Sequence, residues 1–117
     1  TGESISLVVD YEMTQPEENV VVGIAVYRLD GLHCYGSNLQ IEKRELLDLD
    51  IGKHRATITL EHVPLLGGEY LLDWALTRED GSLITYKKDI AKFTVYNTVG
   101  DAGAFRLSHS WEFNSKE

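Results

Sequence analysis

Apolar residues recur at every second position along most of this chain, and that alternation commits it to β-structure. Residues 4–13 set Ile5, Leu7, Val9 and Tyr11 on one side and Ser6 and Asp10 on the other. Residues 19–29 are a long run rich in β-branched side chains, which fits a central strand. The same period returns in 32–39, in 54–63 with Ala56, Ile58 and Leu60 inward, and in 69–78, 82–88, 90–96 and 104–113. Residues 41–52 read as a long loop with a short edge strand. Turn chemistry at 15–19, Asp30-Gly31, 64–68 and Asp80-Gly81 separates these runs. About eight short strands with regular turn signals predict an all-β fold, an antiparallel β-sandwich. The length of 117 residues suits a single domain over 1–117.

The two Asp-Gly turns echo each other, Val26-Tyr27-Arg28-Leu29-Asp30-Gly31 against Ala75-Leu76-Thr77-Arg78-Glu79-Asp80-Gly81. Each x-Asp-Gly loop predicts a three-residue hairpin with its glycine in a G1 bulge. In the first hairpin this pairs Arg28 with Leu32, Val26 with Cys34 and Ile24 with Gly36. Its other face sets Tyr27 against His33, Ala25 against Tyr35 and Gly23 against Ser37. In the second it pairs Trp74 with Tyr86 and Leu76 with Ile84 inward, and Asp73 with Lys87 and Ala75 with Thr85 outward. The outward face of the first hairpin then holds flat rings beside short side chains. Sugars present C–H faces that stack on rings and hydroxyls that need polar partners. Tyr27, His33 and Tyr35, with Ser37 and Asn38 at the rim, are therefore the candidate carbohydrate-binding residues. Tyrosine and histidine are also simply good strand formers on a solvated sheet, and patterning alone leaves both readings open.

Other functions find little footing. Eleven Lys plus Arg against 19 Asp plus Glu give a net charge of −8, unsuited to nucleic-acid backbones. No apolar run approaches the roughly 20 residues of a membrane-spanning helix. A single cysteine, Cys34, excludes an internal disulfide and a cysteine-based zinc framework. With no Asn-x-Ser/Thr sequon, a reducing compartment is expected. The four histidines are scattered and form no metal set, no nucleophile elbow or phosphate loop is present, and no carboxylate pair is placed by a motif. Neither catalysis nor a cofactor is expected. The chain starts at Thr1 and its only methionine is Met13, so a piece of a longer protein is expected.

Three segments together resemble a known family. They are Tyr11-Glu12 with Val22-Gly23-Ile24-Ala25-Val26-Tyr27-Arg28 and Asp30-Gly31, then Val63-Pro64-Leu65-Leu66-Gly67-Gly68-Glu69-Tyr70. The third is Gly100-Asp101 through Gly103, leading to Arg106-Leu107-Ser108-His109-Ser110-Trp111-Glu112. In that order they are similar to the C-terminal glycan-binding domain of the ATPase subunit of O-antigen polysaccharide ABC exporters, the Wzt type. The resemblance implies a cytoplasmic, immunoglobulin-like sandwich that binds the polymer to be exported, its capped non-reducing end being one candidate epitope. It implies an ATPase domain in the parent chain and a membrane permease as partners. It also implies a homodimer in which the C-terminal strand is exchanged. On that expectation residues 98–103 are a hinge, and Phe105, Leu107, His109, Trp111 and Phe113 form one face of the exchanged strand. The competing expectation is a dimerisation or protein-interaction sandwich that binds no glycan.

Overall fold

The computed structural model describes residues 3–96, 100, 102–107 and 109–113. The strands are β1 (Ile5–Met13), β2 (Glu17–Arg28), β3 (His33–Asn38), β4 (Leu47–Leu49), β5 (Gly52–Leu60), β6 (Gly68–Thr77) and β7 (Leu83–Val95). β1 and β5 pair antiparallel as one sheet; the other runs β3-β2-β6-β7, with β4 paired to the start of β2. The sheets meet face to face through their apolar sides. Val9, Tyr11 and Met13 of β1 pack with Val20, Leu49, Trp74 and Leu76. Val26, Val63, Leu65, Tyr70, Leu72 and Val95 make a second cluster, against which Ile5, Leu7, Ile58 and Leu60 rest. The alternation in β1 and β5 is therefore the inward and outward alternation of a half-buried sheet. Trp74 lies inward as expected, fully buried, its ring centroid 4.8 Å from that of Tyr11.

Both Asp-Gly turns have the expected form. Gly31 N donates to Arg28 O and Arg28 N to Leu32 O, each at 2.8 Å. Gly81 N donates to Arg78 O at 2.9 Å and Arg78 N to Ser82 O at 2.8 Å. Gly31 and Gly81 have φ of 94° and 91°, a region that glycine alone enters cheaply. The register beyond the turns differs from expectation. Tyr27 does face His33, but a bulge follows, and Val26 pairs with Tyr35, Ala25 with Gly36, Ile24 with Ser37 and Gly23 with Asn38. The second hairpin slips in the same way, giving Leu76 with Thr85, Ala75 with Tyr86 and Trp74 with Lys87. The extra residues are Cys34 and Ile84, and both pack against the core. Inserting one residue flips every later side chain relative to the facing strand.

Asp73 was expected to face water opposite Lys87. It does lie on the outer face, yet it is only 4% exposed. A second irregularity opposite it, where Asp89 takes φ 53°, turns the Asp89 N–H onto Asp73 Oδ1 at 2.8 Å. Tyr86 Oη donates to Asp73 Oδ2, and Tyr86 itself stands outward rather than in the core. That irregularity also lets 82–88 and 90–96 run on as one strand, β7.

The predicted last strand is absent from the described residues. Phe105 makes one antiparallel bridge with Leu65, supported by Leu66 N to Ala104 O at 3.0 Å and Arg106 N to Pro64 O. Beyond it Leu107, Trp111 and Phe113 are 68%, 77% and 84% exposed. His109 has its Nδ1 2.9 Å from Leu107 O and its ring edge-on to Trp111. The alternation is real, but a strand also needs a ladder, and among the described residues the β-pairing of this segment is the single bridge at Phe105. Of the expected hinge, residues 98, 99 and 101 lie outside the described residues, as does Ser108 of the expected last strand.

Candidate functional site

The outer face of the large sheet can be followed row by row across its strands. His33, Tyr27, Leu71 and Lys92 form one row; Gly36, Ala25 and Asp73 the next; Asn38, Gly23, Ala75 and Tyr86 the third. The middle of this face is thus made of Gly36, Ala25, Gly23 and Ala75, with taller side chains around it. The depression has a volume of about 420 Å³, within the range of ligand pockets. At one end the Tyr27 and His33 rings stack, centroids 4.7 Å apart and planes 24° apart. A Cβ on Gly36 would come within 3.0 Å of His33 Nε2, so this position must be bare for the imidazole to lie where it does. Asn38 closes the third row. Its Oδ1 accepts the Ile41 N–H at 2.8 Å, and its amide NH2 has no partner among the described residues.

Asp73 and Tyr86 wall the β7 side. The Tyr86 hydroxyl is pushed up to about 12, chiefly by its hydrogen bond to Asp73, then by burial and by the Asp73 charge. Two ion pairs brace the hairpins from outside the depression. Arg28 holds Asp30 through two nitrogens, at 2.9 and 2.7 Å. Arg78 holds Glu17 at 2.7 and 3.2 Å. Arg78, and next the Gln15 amide, keep the Glu17 carboxyl below the usual carboxylate range.

Of the five residues singled out in the sequence, Tyr27, His33 and Asn38 come together on this face. Tyr35 does not share it, because of the bulge at Cys34, whereas Ser37 contributes to the lining of the depression with its side chain turned away from it. Ser37 follows Ile24 toward the sheet interior, is buried, and donates to Glu42 Oε2 at 3.1 Å. Tyr35 lies opposite Val26, is 55% exposed, and lines a different concavity. Asp73, Tyr86 and Gly36 were missed. The available signal was the echo between the hairpins, which carries the Gly23–Gly36 region of one onto Asp73 and Tyr86 of the other.

The second concavity is larger, about 810 Å³, and opens between β3 and β5. Val22, Ile24, Val26, Ala56, Ile58 and Leu60 line its depth, and Phe105 sits at its margin. It is a gap between the two sheets rather than a polar recognition site. Among the described residues β5 pairs with β1 alone, so its other edge is open along this gap. The smaller depression has the rings and hydrogen-bonding groups that a hydroxylated ligand requires; the larger one has the apolar surface that a strand requires.

The fold and its two clefts define an antiparallel two-sheet sandwich with a recessed outer face and one unsealed flank. The family model described as the Wzt C-terminal domain matches residues 1–107, and the chain belongs to that family. A solved structure titled "Crystal structure of the C-terminal domain of wzt" superposes with a TM-score of 0.83 at 23% identity, covering 97% of this chain and 71% of that one. Comparison with curated proteins gives no match.

Proposed function

We propose that this domain is a non-catalytic carbohydrate-binding module that recognises a bacterial O-antigen polysaccharide for ABC export, and that the outer cleft is where it does so. The observation that carries this reading is the stacked Tyr27–His33 pair beside a floor of glycine and alanine, with Asn38 and Asp73 as hydrogen-bonding rims. A sugar ring laid on that floor meets an aromatic platform at one end and acceptors and donors along its edge. Membership of the Wzt C-terminal domain family supports the exporter context. On this reading the chain is one cytoplasmic domain of a longer ATP-binding protein, held at the inner membrane through its transporter's permease. Affinity for one site is weak, roughly micromolar to millimolar, because water is displaced from both partners. Titration with the cognate O-polysaccharide should saturate and should lose about tenfold or more with Tyr27→Ala. Absence of saturation with any O-polysaccharide would sink the reading.

The open flank favours a second role beside the first, homodimerisation by exchange of residues 104–113. The stripe of Phe105, Leu107, Trp111 and Phe113 is too apolar to stay in water, and the β3–β5 gap offers an apolar seat beside an unpaired strand edge. Two sites in such a dimer would raise the affinity for a repetitive polymer through avidity. Sedimentation should report a dimer that deletion from Ala104 onward converts to a monomer or an aggregate. A stable monomer of the intact chain would retire exchange and leave the glycan reading untouched.

A further inference from the structure

Charge is distributed one-sidedly around the outer cleft. Asp73 is the one carboxylate among its lining residues, and no lysine or arginine lines it. Its two oxygens each accept a hydrogen bond from β7, from the Asp89 N–H and the Tyr86 hydroxyl. Acceptance at both oxygens is the pattern of a carboxylate, and about four lone-pair sites leave capacity for further donors. Both bonds also fix the group, which at 4% exposure has no freedom to swing away from an approaching ligand. Tyr86 offers no second charge, since its hydroxyl stays protonated well above neutrality. The surroundings do not compensate either, because the floor is glycine and alanine and the chain as a whole carries −8.

We infer that the outer cleft selects uncharged sugars, with Asp73 accepting hydrogen bonds from their hydroxyls, and turns away units that carry carboxylate, phosphate or sulfate. The inference rests on the glycan reading above and adds the class of sugar admitted. A hydroxyl gains a charge-assisted hydrogen bond at Asp73. An anion placed over the same floor meets a like charge that no lysine or arginine of the lining balances. Tyr86, tied by its hydroxyl to Asp73, is a positioning residue that keeps the acid aimed at the floor.

The test uses matched probes, a panel of neutral bacterial O-polysaccharides and the same polymers oxidised at C6 to uronates, titrated against the intact chain. Neutral forms should bind, and their oxidised counterparts should bind about tenfold or more weakly. Because oxidation also alters shape, the titrations are repeated at low and high salt; the gap should narrow at high salt, where repulsion is screened. Asp73→Asn removes the charge while its Oδ1 still accepts the Asp89 N–H and its amide nitrogen can donate to the Tyr86 oxygen in a reversed bond, so it should shrink the gap to about threefold or less while weakening the neutral probes. Equal binding of both forms, or a gap unmoved by salt, overturns the selection by charge and leaves the glycan reading standing. If no probe saturates, the glycan reading falls and this inference with it. Should Asp73→Asn fail to fold, the salt series on the unaltered chain decides alone.

Discussion

The β2–β3 and β6–β7 hairpins have the same backbone and opposite uses. Tyr27–His33, Val26–Tyr35, Ala25–Gly36 and Ile24–Ser37 recur residue for residue as Thr77–Leu83, Leu76–Thr85, Ala75–Tyr86 and Trp74–Lys87. Equivalent residues Ile24 and Trp74 face each other across the β2–β6 seam, so the hairpins are related by an approximate two-fold axis through that pair. Inward the two agree in character: Val26 matches Leu76, Ile24 matches Trp74, and the bulged Cys34 and Ile84 both pack on the core. Outward they part. Where the first hairpin has Gly23 and Gly36, the second has Asp73 and Tyr86; where the second has Thr77 and Leu83, the first has the stacked Tyr27 and His33. The recess arises from this mismatch, one hairpin supplying the platform and most of the floor and the other a charged wall. A fully symmetric pair would have presented a flat sheet or a filled one.

The largest effect expected from breaking this comparison is in the core. Trp74→Ala should destabilise by about 3–5 kcal/mol in denaturant melts, and Ile24→Ala, half-buried at the equivalent place, by about 2 kcal/mol. Equal costs would mean that the second hairpin carries no larger share of the core than the first. The turns should instead behave alike. An added Cβ meets nothing within 4 Å at either Gly31 or Gly81, so each Gly→Ala change should cost only backbone strain, about 1–2 kcal/mol. A difference between the two beyond about 1 kcal/mol would show that the turns are not equivalent.

On the outer face Tyr27→Ala should cut glycan binding about tenfold or more with a melt shifted little, whereas Tyr35→Ala, which lines the other cleft, should leave that binding unchanged. Loss of binding in both variants would place Tyr35 with the ligand after all. The smallest effect is alkaline. Below pH 10 the Tyr86 phenol is protonated in folded and unfolded chains, and its bond to Asp73 contributes fully. As pH rises from 10 to about 12 the unfolded chain ionises first, so this contribution is lost. Tyr86→Phe should therefore flatten the fall in melting temperature over that window. It should not abolish it, because burial also raises Tyr11 and Tyr70.

The strands and turns were legible because alternation and Asp-Gly chemistry are local. Ile5, Leu7, Val9 and Tyr11 point where their period says, and both glycines adopt the φ their turns demand. The bulges were not legible. Cys34 and Ile84 carry no local mark, since any small or apolar residue can be tucked inward there, yet each resets the facing of the strand beyond it. That reset is why Tyr27, His33 and Asn38 stand together while Tyr35 lines the other concavity and Ser37 reaches the depression with its hydroxyl turned to Glu42. Asp73 was hidden for a different reason. A carboxylate on an outward position reads as solvated, and what covers it, the kink at Asp89 and the Tyr86 hydroxyl, belongs to the neighbouring strand. For residues 104–113 the period shows a stripe that needs cover but not which surface supplies it.

The sheet formed by β1 and β5 has a consequence for the order in which the chain folds. Its register joins Ile5 to Leu60 and Met13 to Gly52, and among the described residues no strand pairing ties it to the larger sheet. The two hairpins close over three-residue loops and can form early, whereas β1 must wait for β2, β3 and β4 to be synthesised and folded past it before its partner arrives. Contacts of such long sequence separation are late ones. Substitutions at Val9 or Met13 should then leave the refolding rate nearly unchanged and act on how fast the finished domain comes apart.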